Sequence, residues 1–135
     1  MTASFGYTIF YVPDVEATLG FFTEAFGIER RFVTPENDYG ELATGATTLA
    51  FAAESLAAKN LDGSGGFTPL DPSQPPAGAS ISLLTDDVAG LLDSAEQAGG
   101  RRYLEPMEKP WGQTVAYVVD PNGILVELAT PMAES

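Results

Sequence analysis

Moved 73 residues along itself, the chain lays Asp14-Val15 on Asp87-Val88, Leu19 on Leu92 and Gly27 on Gly100. A period this long exceeds any single helix or strand, so the repeating unit is a supersecondary module present twice. Its content is legible in the first copy. YTIFYV, residues 7–12, is a β-rich run ending at Pro13, and Asp14 supplies an N-cap for a helix whose Val15, Leu19, Phe22 and Phe26 recur at helical spacing until Gly27 stops it. Three strands follow in IERRFV, YGELAT and TTLAFAA, separated by TPEND and Gly45. In the second copy SISLLT is a strand, and Asp87 caps a helix with a stripe of Val88, Leu91, Leu92, Ala95 and Ala98. Gly99-Gly100 ends that helix, and RRYLE, TVAYVVD and ILVELA are strands. The expected fold is α+β, two βαβββ modules in a single domain 1–135, with module one at 5–53, a linker at 54–79 and module two at 80–130.

The linker contains GSGG and DPSQPPAG, a composition that cannot hold a helix or a central strand over most of its length. A spacer and a binding loop anchored by Phe67 and Leu70 are both open. GSGG lacks the Lys and Ser/Thr of a phosphate loop. Asp86 and Asp87 read as helix caps, and the pairs Arg30-Arg31 and Arg101-Arg102 as charges on edge strands.

Composition removes whole classes of chemistry. With 135 residues, 44% of them hydrophobic, the chain can bury one good core. No apolar run reaches eighteen residues, and MTASFGYTIF has neither a basic leader nor a small-residue cleavage site, so a soluble, cytoplasmic protein without a membrane partner is expected. The absence of cysteine excludes disulfides and thiolate ligands, and the absence of histidine removes the commonest transition-metal ligand and general base. A formal charge of −13, from 19 acidic and 6 basic side chains, repels phosphates and speaks against nucleic acid as a partner. The same charge serves solubility or the steering of cations.

The repeat, the aspartate opening each helix, and the series Trp111-Gly112, Asp120-Pro121-Asn122-Gly123 and Glu127 resemble the vicinal oxygen chelate superfamily of glyoxalase I, extradiol dioxygenases, and fosfomycin and bleomycin resistance proteins. The likeness runs from Tyr7 to Thr130. It implies strands curled into a mixed-sheet cup, with a divalent metal held in the enzymes by the first and last strands of each module. Those positions fall here on Tyr7 and Ser80, on or beside Ala50, and on Glu127. Only Glu127 matches a family ligand, so no metal or other cofactor is expected.

The resemblance then shifts to the metal-free members, which bind a drug between aromatic rings. Tyr7, Tyr39, Phe51, Ser80, Tyr103, Trp111 and Glu127 are the candidate ligand-binding residues, with no catalytic residue among them. The direction of Phe51 turns on a one-residue register choice and that of Tyr117 on a strand apolar on both faces, so neither can be read. Alternation sends Ile124, Val126 and Leu128 under the helices and Leu125, Glu127 and Ala129 to the other face. Glu127 is expected to be wet, bonded to Tyr7 or Ser80, or matched to a ligand. Two functions follow as expectations. One is metal-independent sequestration of a planar aromatic or peptide antibiotic by a homodimer, for self-resistance or carriage. The other is a divergent metal-dependent lyase, isomerase or dioxygenase using Glu127.

Overall fold

A computed structural model describes residues 1–132, so 133–135 of the expected domain lie outside the described residues. The elements run β1 Tyr7–Val12, α1 Val15–Phe26, β2 Arg30–Val33, β3 Tyr39–Leu42, β4 Thr48–Ala53, α2 Glu54–Asn60, β5 Ile81–Leu84, α3 Val88–Gln97, β6 Arg101–Glu108, β7 Thr114–Val119 and β8 Leu125–Ala129. This is the α+β order read from the repeat, with α2 added in the first seven residues of the stretch whose composition marks a linker. By contacts the chain divides into two compact units, one of residues 1–23 and 27–70, the other of 24–26 and the chain from Asp71 on.

The first unit is a four-stranded sheet in the order β1-β4-β3-β2, with β1 parallel to β4 and the other pairs antiparallel. Asp14 caps α1 by accepting from the Ala17 N–H at 3.0 Å, and Gly27 closes it at φ 71, a left-handed conformation that suits glycine. Val15, Leu19 and Phe22 are buried, as their spacing requires. Gly40 of β3 is the seat of this helix: a Cβ there would stand 2.7 Å from Leu19 Cδ1 and 3.3 Å from Val15 Cγ1. The register pairs Gly40 with Phe51, so Phe51 shares the helix-facing side.

The second unit repeats the plan as β5-β8-β7-β6, with β5 parallel to β8. Asp87 caps α3 through the Gly90 N–H at 2.9 Å, and α3 packs on β6, β7 and β8. Both Arg-Arg pairs do lie on edge strands, but three of the four arginines are bound to carboxylates. Arg102 ties β6 to Asp93 and Glu96 of α3, Arg30 ties β2 to Glu16 of α1 at 2.9 Å, and Arg31 stands 3.5 Å from Glu41.

Candidate functional site: a carboxylate held by two hydroxyls

β8 alternates as its sequence predicts. Val126 and Leu128 are fully buried under α3, while Leu125 and Glu127 lie half-buried on the opposite, open face of the sheet. Register then selects the neighbours of Glu127. Tyr117 of β7 stands across from it on one side and Ser82 of β5 on the other. The Tyr117 hydroxyl donates to Oε2 at 2.8 Å and the Ser82 hydroxyl to Oε1 at 2.6 Å, so each carboxylate oxygen has its own donor. Hydrogen bonds to an ionised acceptor are among the stronger ones available to neutral donors, and they offset the partial desolvation of the charge.

The expected partners, Tyr7 and Ser80, are therefore replaced by Tyr117 and Ser82. Ser80 precedes β5 by one residue; Ser82, two residues on, is the one in register. The bond to Glu127 pushes the Tyr117 phenol above its ordinary pKa, with burial and the carboxylate charge adding to it. Tyr117 thus stays a proton donor in the neutral range.

Beside this triad lies a groove of about 610 Å³. Its walls are the segment 77–80, Tyr103 and Leu104 of β6, Lys109, Tyr117 and Leu125. The volume lies within the range of small-molecule sites. Of the sequence candidates, Ser80 and Tyr103 line it, and Glu127 fixes the ring of a third wall residue, Tyr117. Trp111 is exposed in the β6–β7 connection, where its indole N–H donates to Gln113 at 2.7 Å and the Gln113 amide donates to the Thr130 carbonyl at 2.8 Å.

The remaining candidates belong to the first unit. Phe51 corrects the sequence reading: it is 0% exposed, with its ring 5.1 Å from Phe22 of α1 and 6.4 Å from Phe10, and so it is core and lines no open face. Tyr7 is exposed on the open face of its sheet, and Tyr39 shares that face. The Tyr39 hydroxyl donates to Glu41 Oε2 at 2.7 Å, and Glu41 is only 6% exposed. Burial first, then the bond to Glu41 and its charge, raise the Tyr39 phenol far above its ordinary value. The sequence reading missed Glu41. Its signal was YGEL, in which Tyr39 and Glu41 alternate to one face while Gly40 admits the helix on the other. Each unit thus holds one tyrosine–glutamate pair on the face turned from its helix.

Both pairs give a measurable titration. A raised phenol pKa adds stability that is complete below the unfolded value of about 10 and fades as pH rises through the folded value. Alkaline titration of tyrosinate absorbance is expected to hold back Tyr39 and Tyr117, two of five tyrosines, beyond pH 10 in the native protein. Glu41→Gln and Glu127→Gln should each bring one of them to lower pH. If all five phenols ionise together at their ordinary pKa, the pairs do not exist in solution.

The metal implied by the resemblance does not fit these donors. A catalytic transition-metal site takes about three protein ligands, drawn chiefly from imidazole, thiolate and carboxylate. Here one carboxylate meets a serine hydroxyl and a phenol whose pKa is raised, against the ionisation that would make it a ligand. Among the described residues no three of His, Cys, Asp and Glu come together.

A sequence model of the Glyoxalase/Bleomycin resistance protein/Dioxygenase superfamily matches residues 4–128. Lactoylglutathione lyase GLX1 of Arabidopsis thaliana is 29% identical over 132 residues, covering 92% of this chain; the chain spans 43% of that protein's length. Among solved structures, a glyoxalase-related enzyme from Fulvimarina pelagi superimposes with a TM-score of 0.80 at 20% identity, covering 96% of this chain and 89% of the other. A family enzyme from Burkholderia phytofirmans gives 0.73 at 20% identity, with 95% and 98% covered. At these identities the structural matches speak for the fold alone. Among the described residues no helix is long and apolar enough to cross a membrane.

Proposed function

The chain belongs to the Glyoxalase/Bleomycin resistance protein/Dioxygenase superfamily, and on that premise we propose that its second module binds and sequesters a planar aromatic molecule, such as an aromatic or peptide antibiotic, without a metal. The observation that carries this reading is the Ser82–Glu127–Tyr117 triad, in which the one carboxylate at a family ligand position already has a hydroxyl on each oxygen. The adjoining groove supports it. Tyr103 and Tyr117 offer ring faces, Leu104 and Leu125 offer apolar area, and Ser80 offers a hydroxyl. Such a groove lowers the free concentration of its guest or carries it, and neither role requires bond chemistry.

Similarity to a lactoylglutathione lyase favours the competing reading, a metal-dependent enzyme. Metal analysis of protein purified without a histidine tag separates the two. The binding reading expects no stoichiometric divalent ion; a bound ion lost in Glu127→Gln would establish the enzyme reading instead. The single tryptophan, Trp111, lies two residues from Lys109 in the groove wall and serves as a reporter. Its emission should be quenched by a flat polycyclic probe such as an anthraquinone. Tyr103→Ala should weaken that binding by up to about tenfold, since a stacked ring contributes roughly 0.5–1.5 kcal/mol. A probe series that leaves the emission unchanged at millimolar concentration counts against the groove as a binding site.

A further inference from the structure

We infer that this groove reads an acid group on its guest, through the ammonium of Lys109, so that the ligand class is a flat aromatic ring bearing a carboxylate or similar anion. The inference rests on the aromatic-binding reading above and adds to it the sign of the ligand's charge. Cations are scarce in this protein, 6 against 19 acids, and most are spoken for. Arg30, Arg31 and Arg102 are held by carboxylates, and Arg101 lies over the Tyr103 ring at 5.7 Å. Lys109 forms no ion pair among the described residues, although acids outnumber bases threefold.

Position argues the same way. From Tyr103 to Gly112 every residue is exposed except Lys109, which is half-buried in the groove wall. Its backbone is fixed at the turn between β6 and β7: its N–H donates to the Gln113 carbonyl at 2.7 Å, and its carbonyl accepts from the Gly112 N–H at 2.9 Å. Part of the entropic cost of presenting the side chain there has therefore been met in folding. Among the described residues no aspartate or glutamate lines the groove, and the proton of Tyr117 is committed to Glu127. Among the described residues the only full charge on the wall is the positive one of Lys109. A protein of formal charge −13 repels anions at long range, but that field is screened over about 8 Å at physiological salt, whereas a contact pair in a partly buried groove is screened less. Lysine suits the task as a point charge on a flexible stem, which accepts a carboxylate without the fixed geometry of arginine.

Three probes sharing one ring system test this by calorimetry on the untagged full chain: 2-naphthoate, 2-naphthamide and 2-naphthylmethylammonium. The acid is expected to bind about tenfold more tightly than the amide, as a charge-assisted hydrogen bond allows, and the amine more weakly than either. Lys109→Met should bring acid and amide within about twofold of each other, and Lys109→Glu should reverse the order in favour of the amine. Amide binding without any advantage for the acid, or an acid preference that survives Lys109→Met, overturns the inference and leaves the groove reading standing. If none of the three probes binds, both fall together. Variants are compared only where their circular dichroism and thermal transitions match the parent.

Discussion

Phe51→Ala is expected to destabilise the protein by about 3–5 kcal/mol, the range for removing a fully buried ring. Its ring has no exposure and stands against Phe22 on α1 and Phe10 on β1, so the truncation opens a cavity between helix and sheet. The surroundings cannot collapse into that space cheaply. Gly40 already sits against Leu19 and Val15, and α1 can come no closer to the sheet there. With domain stabilities of about 5–15 kcal/mol, the variant loses a large fraction of its total. Urea unfolding followed by circular dichroism gives the value directly. A loss below 1 kcal/mol, together with weakened binding of aromatic probes, would return Phe51 to the open face where the sequence alone allowed it.

That residue shows where sequence reasoning stops. In TTLAFAA the apolar residues leave the two faces of the strand alike, so periodicity carries no direction. What decides is a residue on another strand: Gly40 pairs with Phe51, and its missing side chain marks the side on which the helix lies. TVAYVV of β7 had the same ambiguity, and Tyr117 was resolved by its place opposite Glu127. ILVELA was legible from the start because its one charge breaks the symmetry between its faces.

The helices α1 and α3 and the existence of the strands were readable from caps, glycine stops and the repeat, all of which are local signals. The parallel register of β5 on β8 is not local. It is set by a connection through α3, β6 and β7, and so the sequence left Glu127 with water, Tyr7 or Ser80, or a ligand as alternatives, none of which is the Ser82 that the register supplies. Lys109 escaped notice for a related reason. Nothing in EKPWGQ distinguishes a lysine half-buried in a groove wall from one in solvent. The helix α2 was hidden by composition: ESLAAKN contains good helix formers, but the proline- and glycine-rich residues after it dominate any window wide enough to judge the stretch.

Gly123→Val is expected to lower stability by about 3 kcal/mol or more and to loosen the Tyr117–Glu127 pair with it. Gly123 stands at φ 105, a region that β-branched residues do not adopt without strain of roughly 1–2 kcal/mol. A Cβ there would also stand 3.2 Å from the backbone of Asp71 and Pro72, and backbone cannot yield as a side-chain tip does, which adds about 1–3 kcal/mol. The turn is more than a connection. The Asp120 carboxylate, 2% exposed, accepts from the Asn122 N–H at 3.0 Å, the Ile124 N–H at 2.8 Å and the Asn122 amide at 2.8 Å. Burial pushes the Asp120 carboxyl up, and those donors oppose the shift. If Gly123 moves, the donors leave while the buried acid stays, so the penalty grows beyond the local strain.

The same turn sets the start of β8, and thereby which residue faces Tyr117. A displaced β8 should free the Tyr117 phenol to titrate at lower pH while the variant is still folded. Gly123→Ala, lacking valine's two γ-methyls, should fall between the two proteins in both measurements. Denaturation midpoints and tyrosinate titration on the three proteins test the chain of cause from turn to register to hydroxyl pair. A valine variant within 1 kcal/mol of the parent would show that the loop adapts, and that the aspartate-to-glycine motif does not hold Glu127 in place.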